Sequence, residues 1–240
     1  MEFVYPPVLV AARSAFAGLR LKFIQTGNDN IPSAGGAVLA SNHVSYLDFT
    51  FVGYSAFPQH RLVRFMAKDS IFKNPVAGPL MRGMHHIPVD RSAGAASYRE
   101  ALTALQSGEI VGIFPEATIS TSYRPKDFKS GAVRLAVEAG VPLIPMATWG
   151  GQRIYTKGHK FTADFGTAIM LSVGEPMHPT ADDDINDVTA ELRRRVEALV
   201  DDCITRYPTR PEPGTWWWPG DLGGGAPATV GSKPEPTDEQ

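Results

Sequence analysis

Short apolar runs alternate with amphipathic stretches along most of this 240-residue chain. Apolar runs bounded by Gly or Pro are typical of buried strands, whereas apolar residues spaced three and four apart indicate helices. Because strand and helix alternate, we expect an α/β fold with a mostly parallel central sheet flanked by helices. The predicted strands cover residues 21–26, 37–41, 62–67, 86–89, 110–114 and 141–147, with one or two more within 161–173.

Three helices are predicted between or after these strands. They cover residues 95–106, residues 131–139 with Gly140 as the C-cap, and a long final stretch from Ile185 to Cys203. Together, strands and helices define one predicted domain over residues 21–207, a length that suits a single hydrophobic core.

The N-terminal 20 residues carry an amphipathic pattern. A helix over residues 7–20 places on one stripe Val8, Ala12, Ala15, Phe16 and Leu19. Such a helix either lies on a membrane surface or docks on the core of its own domain, and the pattern serves both purposes. We expect an amphipathic helix here and leave both alternatives open.

The C-terminal residues 208–240 are rich in Pro, Gly, Ser and acidic residues, which predicts a flexible tail. Three consecutive tryptophans, Trp216 to Trp218, interrupt this composition. Tryptophan favours the bilayer interface and is costly to leave in water. The three side chains therefore either meet a membrane or fold back onto the domain.

Composition excludes several classes of protein. A formal net charge of −2 gives no indication of nucleic-acid binding. A single cysteine, Cys203, excludes a disulfide framework and fits a reducing compartment. We find no signal peptide, and the early apolar run is shorter than the roughly 20 residues that a membrane span requires.

One histidine follows a predicted core strand directly. His43 comes two residues after the strand at 37–41, where α/β folds expose functional groups, and Asp48 lies five residues further on. Neutral imidazole accepts a proton near pH 7, and a carboxylate on its other ring nitrogen fixes the tautomer. We predict a turn at His43 that runs into a helix near Leu47 and folds Asp48 back onto the ring. Taken alone, the pair is better explained by an ordinary hydrogen-bonded histidine and a helix N-terminal acid than by catalysis.

Four ordered segments change this balance. Asn42-His43-x-x-x-x-Asp48 is followed by residues 83–91, which end in Asp90-Arg91, by Phe114-Pro115-Glu116-Ala117-Thr118-Ile119-Ser120, and by Val141-Pro-Leu-Ile-Pro145. In this order the four segments resemble the blocks of the glycerolipid acyltransferase family, which is typified by lysophosphatidic acid acyltransferases.

The resemblance implies a direct acyl transfer from acyl-CoA or acyl carrier protein to a lysophospholipid hydroxyl at the cytoplasmic face of a membrane. His43 and Asp48 would be catalytic. The residues expected to bind substrate are Asn42, Lys68, Arg91, Glu116 and Thr118, with Arg91 on the acceptor phosphate. We expect no metal and no cofactor beyond the thioester co-substrate.

The third block departs from the family pattern at two positions. Ala117 stands for the usual glycine and Ile119 for the usual arginine, so one phosphate-binding cation is missing. Either Arg124 or another base replaces it, or the acceptor head group is not a simple glycerol phosphate. A thioesterase-like hydrolase and a catalytically silent lipid-binding protein are the alternatives from other classes.

Overall fold

The computed structural model describes residues 2–90 and 94–227. Its helices are α1 (Tyr5–Gly18), α2 (Asp48–Ser55), α3 (Asp69–Phe72), α4 (Ala77–Gly83), α5 (Gly94–Gln106), α6 (Gly131–Ala139) and α7 (Ile185–Thr205). Its strands are β1 (Lys22–Thr26), β2 (Ala37–Ser41), β3 (Val63–Lys68), β4 (Ile87–Val89), β5 (Ile110–Ile113), β6 (Leu143–Trp149) and β7 (Ala168–Val173). Gly140 follows α6 in the left-handed conformation, at φ 64°, as its predicted role as C-cap requires.

The strands form one sheet in the order β1-β7-β6-β2-β5-β3-β4. All neighbouring pairs are parallel except β6 and β7, which are antiparallel. The predicted α/β fold with a mostly parallel sheet is therefore confirmed. Because β2, β5, β3 and β4 run in the same direction, their carboxyl ends meet at one edge of the sheet, where ligands bind in folds of this kind.

Both faces of the sheet are covered, as its continuous apolar strands require. Alternate residues of β2 point to opposite faces: Val38 and Ala40 pack with α5, α6 and α7, whereas Ala37 and Leu39 pack with α2. All five residues of β2 are buried. The strand that leads to His43 is thus fixed from both sides.

Helix α1 docks on its own domain. Val8 packs against a small cluster around Tyr5 and Phe72, and Phe16 packs against the core on the α2 face, while Ala15 is exposed. This is one of the two alternatives that the sequence left open, and membrane contact by α1 remains a prediction. Within the described residues, every helix is too short or too polar to cross a bilayer.

The segment after α7 also packs on the domain. Trp217 and Trp218 are only 9% and 5% exposed, and Trp218 meets Trp149 edge to face with ring centroids 5.9 Å apart. Trp216 is half-buried and stacks on His159 at 3.9 Å. This corrects the predicted flexible tail for residues 208–227, because burial of the indole rings outweighs a Pro- and Gly-rich composition. Residues 228–240 lie outside the described part of the chain.

Candidate active site

The site begins where β2 ends. Asn42 is fully buried, and its side chain continues the pairing between β2 and β6: Nδ2 donates to the Thr148 carbonyl at 3.0 Å and Oδ1 accepts from the Thr148 N–H at 2.8 Å. The side-chain amide of Asn42 thus makes the hydrogen bonds to β6 that a backbone peptide group would make, while the main chain leaves the sheet. We therefore reassign Asn42, which was predicted to bind substrate, to holding the turn that presents His43.

Asp48 lies opposite His43 at the start of α2. Its Oδ2 is 3.0 Å from His43 Nδ1 and accepts the backbone N–H groups of Val44 and Ser45, each at 2.7 Å. Its Oδ1 accepts the Thr148 hydroxyl at 2.9 Å. The predicted turn with a helix behind it is confirmed, and Asp48 serves both as the first residue of α2 and as the partner of the imidazole.

This geometry fixes the tautomer of His43. A carboxylate only accepts hydrogen bonds, so in the neutral imidazole Nδ1 carries the proton and Nε2 presents a lone pair. One face of the ring stacks on Phe114, with centroids 4.2 Å apart and planes 18° apart. The side chain is 20% exposed, whereas Asp48 is fully buried. The arrangement is that of a positioned, solvent-accessible general base with a buried orienting carboxylate.

Glu116 joins the first and third blocks. Its Oε1 accepts the His43 backbone N–H at 2.8 Å, and its Oε2 accepts the Lys126 N–H at 3.1 Å. Burial raises the pKa of Glu116 to about 7, and the two backbone donors oppose this rise only in part. Both oxygens of Glu116 hold backbone groups, one of them that of His43, and the predicted contact of Glu116 with substrate remains a prediction.

Two departures in the third block have structural consequences. Ala117 adopts the left-handed conformation at φ 61°, where glycine is normally preferred. Ile119 is buried, so this position provides no cation. Arg124 binds Asp201 and Asp221, and hydrogen bonds to these carboxylates raise its pKa. The suggestion that Arg124 replaces the missing arginine is therefore wrong: its charge ties α7 to the C-terminal segment.

Thr118 and Lys68, two of the other predicted substrate-binding residues, stand at the same edge of the sheet. Thr118 is half-buried and its hydroxyl accepts the Lys126 ammonium at 2.6 Å. Lys68 is exposed at the carboxyl end of β3, two strands from β2. Arg91 lies outside the described residues, so its contact with the acceptor phosphate remains a prediction.

A loop after β6 braces the catalytic turn. The Ser45 hydroxyl donates to the Tyr155 carbonyl at 2.7 Å, and the Thr156 hydroxyl donates to the Val44 carbonyl at 2.6 Å. Sequence reasoning missed Thr156, Thr148 and Lys126. Thr148 carried a signal, because it is a polar residue immediately after a continuous apolar run, whereas Thr156 and Lys126 stand in loops without a local pattern.

The remaining reactive groups are explained by packing. Cys203 is fully buried in α7, and burial raises the pKa of its thiol to about 12, so it is not a nucleophile. His86 is buried and accepts the Phe65 N–H at 3.1 Å, while burial lowers its pKa to about 4. Among the described residues, no three His, Cys, Asp or Glu side chains cluster closely enough to hold a metal ion.

Comparison with known proteins bears on what this site does. The family model described as Acyltransferase matches residues 22–149, more than half of the chain. The chain belongs to this family. The matched range contains β2, the His43–Asp48 pair and the Glu116 loop, and it ends at the last residue of β6.

Several curated relatives of this acyltransferase are named 1-acyl-sn-glycerol-3-phosphate acyltransferases. The Bacillus subtilis protein is 33% identical over 154 residues, which cover 62% of this chain and 71% of that protein. The Borreliella burgdorferi protein is 27% identical over 166 residues, 68% of this chain and 62% of that protein. The chain thus spans less than two thirds of the second relative.

A solved structure shares the fold. The crystal structure of the 1-acyl-sn-glycerophosphate (LPA) acyltransferase PlsC from Thermotoga maritima matches with a TM-score of 0.70 and 23% identity, over 85% of this chain and 81% of that chain. At this identity, the likeness supports the α/β architecture described above.

Proposed function

We propose that this acyltransferase moves a fatty acyl group from a thioester to the hydroxyl of a lysophospholipid, with 1-acyl-sn-glycerol-3-phosphate as acceptor and phosphatidic acid as product. The observation that carries the proposal is the 3.0 Å contact between His43 Nδ1 and the buried Asp48, which leaves the accessible side of the imidazole as a base. The names of the curated relatives support the choice of acceptor.

The reaction needs only groups at this edge of the sheet. His43 Nε2 accepts the proton of the acceptor hydroxyl while the oxygen attacks the thioester carbonyl. Asp48 stabilises the imidazolium that forms. When the tetrahedral intermediate collapses, the carbon–sulfur bond breaks and the imidazolium returns the proton to the thiolate. No acyl-enzyme is required, in keeping with the buried thiol of Cys203.

The donor and the location belong to the same proposal. Acyl-CoA and acyl carrier protein both present the required thioester, and the reaction consumes it without a further cofactor. Because the acceptor is a lipid, we place the protein peripherally on the cytoplasmic face of the cell membrane. The outer face of α1 is the candidate contact, since Trp217 and Trp218 are buried in the domain.

A panel of acceptors tests this function. Radiolabelled acyl-CoA, or labelled acyl carrier protein, is supplied with 1-acyl-sn-glycerol-3-phosphate, lysophosphatidylcholine, lysophosphatidylethanolamine or a glycolipid, and acylated lipid and free fatty acid are followed together. We expect phosphatidic acid as the main product and loss of this product in His43→Ala. Acylation of another lysolipid in preference would reassign the acceptor, in line with Ile119. Release of free fatty acid without acylated lipid would identify a hydrolase.

A further inference from the structure

The site lacks the arginine that the resemblance places at position 119, yet a different cation lies beside it. The Lys126 ammonium donates to the Thr118 hydroxyl at 2.6 Å, and Thr118 directly precedes the buried Ile119. Within residues 2–90 and 94–227, no carboxylate forms an ion pair with this ammonium within 4 Å, although its charge acts on Glu116 and opposes the rise in the pKa of that carboxyl. Lys126 therefore contrasts with Arg124, whose charge is neutralised by Asp201 and Asp221.

The backbone of Lys126 is held at both ends. Its N–H donates to Glu116 Oε2 at 3.1 Å, and its carbonyl accepts from Arg193 Nε at 3.1 Å. Since the other oxygen of Glu116 holds the backbone of His43, one carboxylate links the lysine to the catalytic turn. The backbone of Lys126 is thus tied to the catalytic turn, and its ammonium is held by the hydroxyl of Thr118.

The chemistry of this group suits a phosphate monoester. An ammonium has three donors, and Thr118 takes one of them, which leaves two for phosphate oxygens. Lysine binds phosphate as a point charge, without the forked geometry of arginine.

We propose that Lys126, held by Thr118, binds the phosphate monoester of the substrate in place of the missing arginine. This inference rests on the proposed function and makes Lys126 a determinant of acceptor specificity. A phosphate monoester is present both on 1-acyl-sn-glycerol-3-phosphate and on coenzyme A. The acceptor is the assigned source, because Lys126 shares Glu116 with the residue that deprotonates the acceptor hydroxyl.

The test compares Lys126→Met with wild type on two acceptors and two donors. With 1-acyl-sn-glycerol-3-phosphate we expect kcat/KM to fall about 10- to 100-fold, the loss expected for a hydrogen bond to a charged group. With 1-acylglycerol, which lacks the phosphate, kcat/KM should stay within about 2-fold. Lys126→Arg should restore most of the lost activity. Lys22→Met, which removes an exposed charge on edge strand β1, is the matched control and should behave as wild type.

The donor arms separate the two phosphate sources. If Lys126→Met instead raised the KM for acyl-CoA but not for acyl-dephospho-CoA, the lysine would serve the donor and the assignment to the acceptor would be overturned. Equal losses of kcat/KM on phosphorylated and unphosphorylated acceptors would also overturn it. A purely structural role of Lys126 predicts that result, whereas phosphate binding predicts a loss on the phosphorylated acceptor alone. If Lys126→Met does not fold, Thr118→Val provides the second test, with the same selectivity and a smaller loss of about 2- to 10-fold.

Failure of this inference is distinguishable from failure of the proposed function. Wild type that acylates 1-acyl-sn-glycerol-3-phosphate, together with an unchanged Lys126→Met, would refute only the role of the lysine. Wild type that acylates neither acceptor would refute the function itself.

Discussion

Substitution of Asp48 by asparagine removes a charge while keeping the shape of the side chain. The asparagine carbonyl can occupy the place of Oδ2 and still accept from His43 Nδ1 and from the backbone N–H groups of Val44 and Ser45. The turn should therefore survive, so a loss of activity reports on the lost charge. We expect the variant to fold, with a circular dichroism spectrum like that of wild type.

The expected loss follows from the 3.0 Å contact between Asp48 and His43. At this separation, a unit charge pair in a medium of effective dielectric constant near 20 interacts by roughly 5 kcal/mol, which is an upper bound of about 10⁴ in rate. The lower bound is a single charge-assisted hydrogen bond, about 1.5–3 kcal/mol, or at least 10-fold. We predict that kcat falls by between about 10-fold and 10⁴-fold in Asp48→Asn.

Single-turnover acylation of the lysolipid measures this loss directly. Thr148→Val is the matched control: it removes the hydroxyl bonded to Oδ1 but leaves the carboxylate and its contact with His43, so the loss should stay below about 10-fold. If Asp48 acts through His43, adding Asp48→Asn to His43→Ala should change the rate by less than about 3-fold. Full additivity in that double variant, or an Asp48→Asn rate near that of wild type, would refute the reasoning.

Two further predictions concern stability. Burial raises the pKa of Glu116 to about 7 in the folded protein, from 4.5 when solvated. The folded state therefore binds the Glu116 proton more tightly than the unfolded state does. The contribution of this proton to the free energy of unfolding is complete below pH 4.5 and is lost as the pH rises through 7. The free energy of unfolding of wild type relative to Glu116→Gln should thus fall by about 3 kcal/mol over this range in urea titrations, and a pH-independent difference would contradict the assigned burial. Trp218→Ala should lower the free energy of unfolding by about 3–5 kcal/mol. Trp216→Ala should lower it by much less, because Trp216 is only half-buried. Equal small effects would show that the C-terminal segment does not belong to the core.

Periodic patterns were sufficient to predict most of the fold. The predicted strand at 37–41 and helix at 131–139 match β2 and α6 residue for residue, because a continuous apolar run and helical spacing are both visible in the local sequence. The pair His43 and Asp48 was also predicted together with its turn. Local spacing was sufficient for this prediction, because a turn within five residues brings Asp48 into contact with the His43 ring.

Other features depend on contacts between distant segments. Asn42 and Glu116 were expected to face substrate, but the side chain of each is hydrogen-bonded to backbone groups of a distant segment. The partner lies 106 positions away for Asn42 and 73 positions away for the His43 bond of Glu116. Lys126 left no pattern, because its role depends on Thr118 across a loop. The packing of Trp217 and Trp218 could not be predicted from the polar, Pro-rich sequence around them. Contacts with residues distant in the sequence, such as Trp149, produce no periodic pattern in the local sequence.

The central claim is that His43 is the base of a direct acyl transfer. The most direct test is the rate at which purified wild type and His43→Ala convert 1-acyl-sn-glycerol-3-phosphate and labelled acyl-CoA into phosphatidic acid, with both proteins checked for the same unfolding midpoint. Loss of a general base predicts a rate about 10²–10⁴-fold lower in the variant. A folded His43→Ala that forms phosphatidic acid at the wild-type rate would contradict the account.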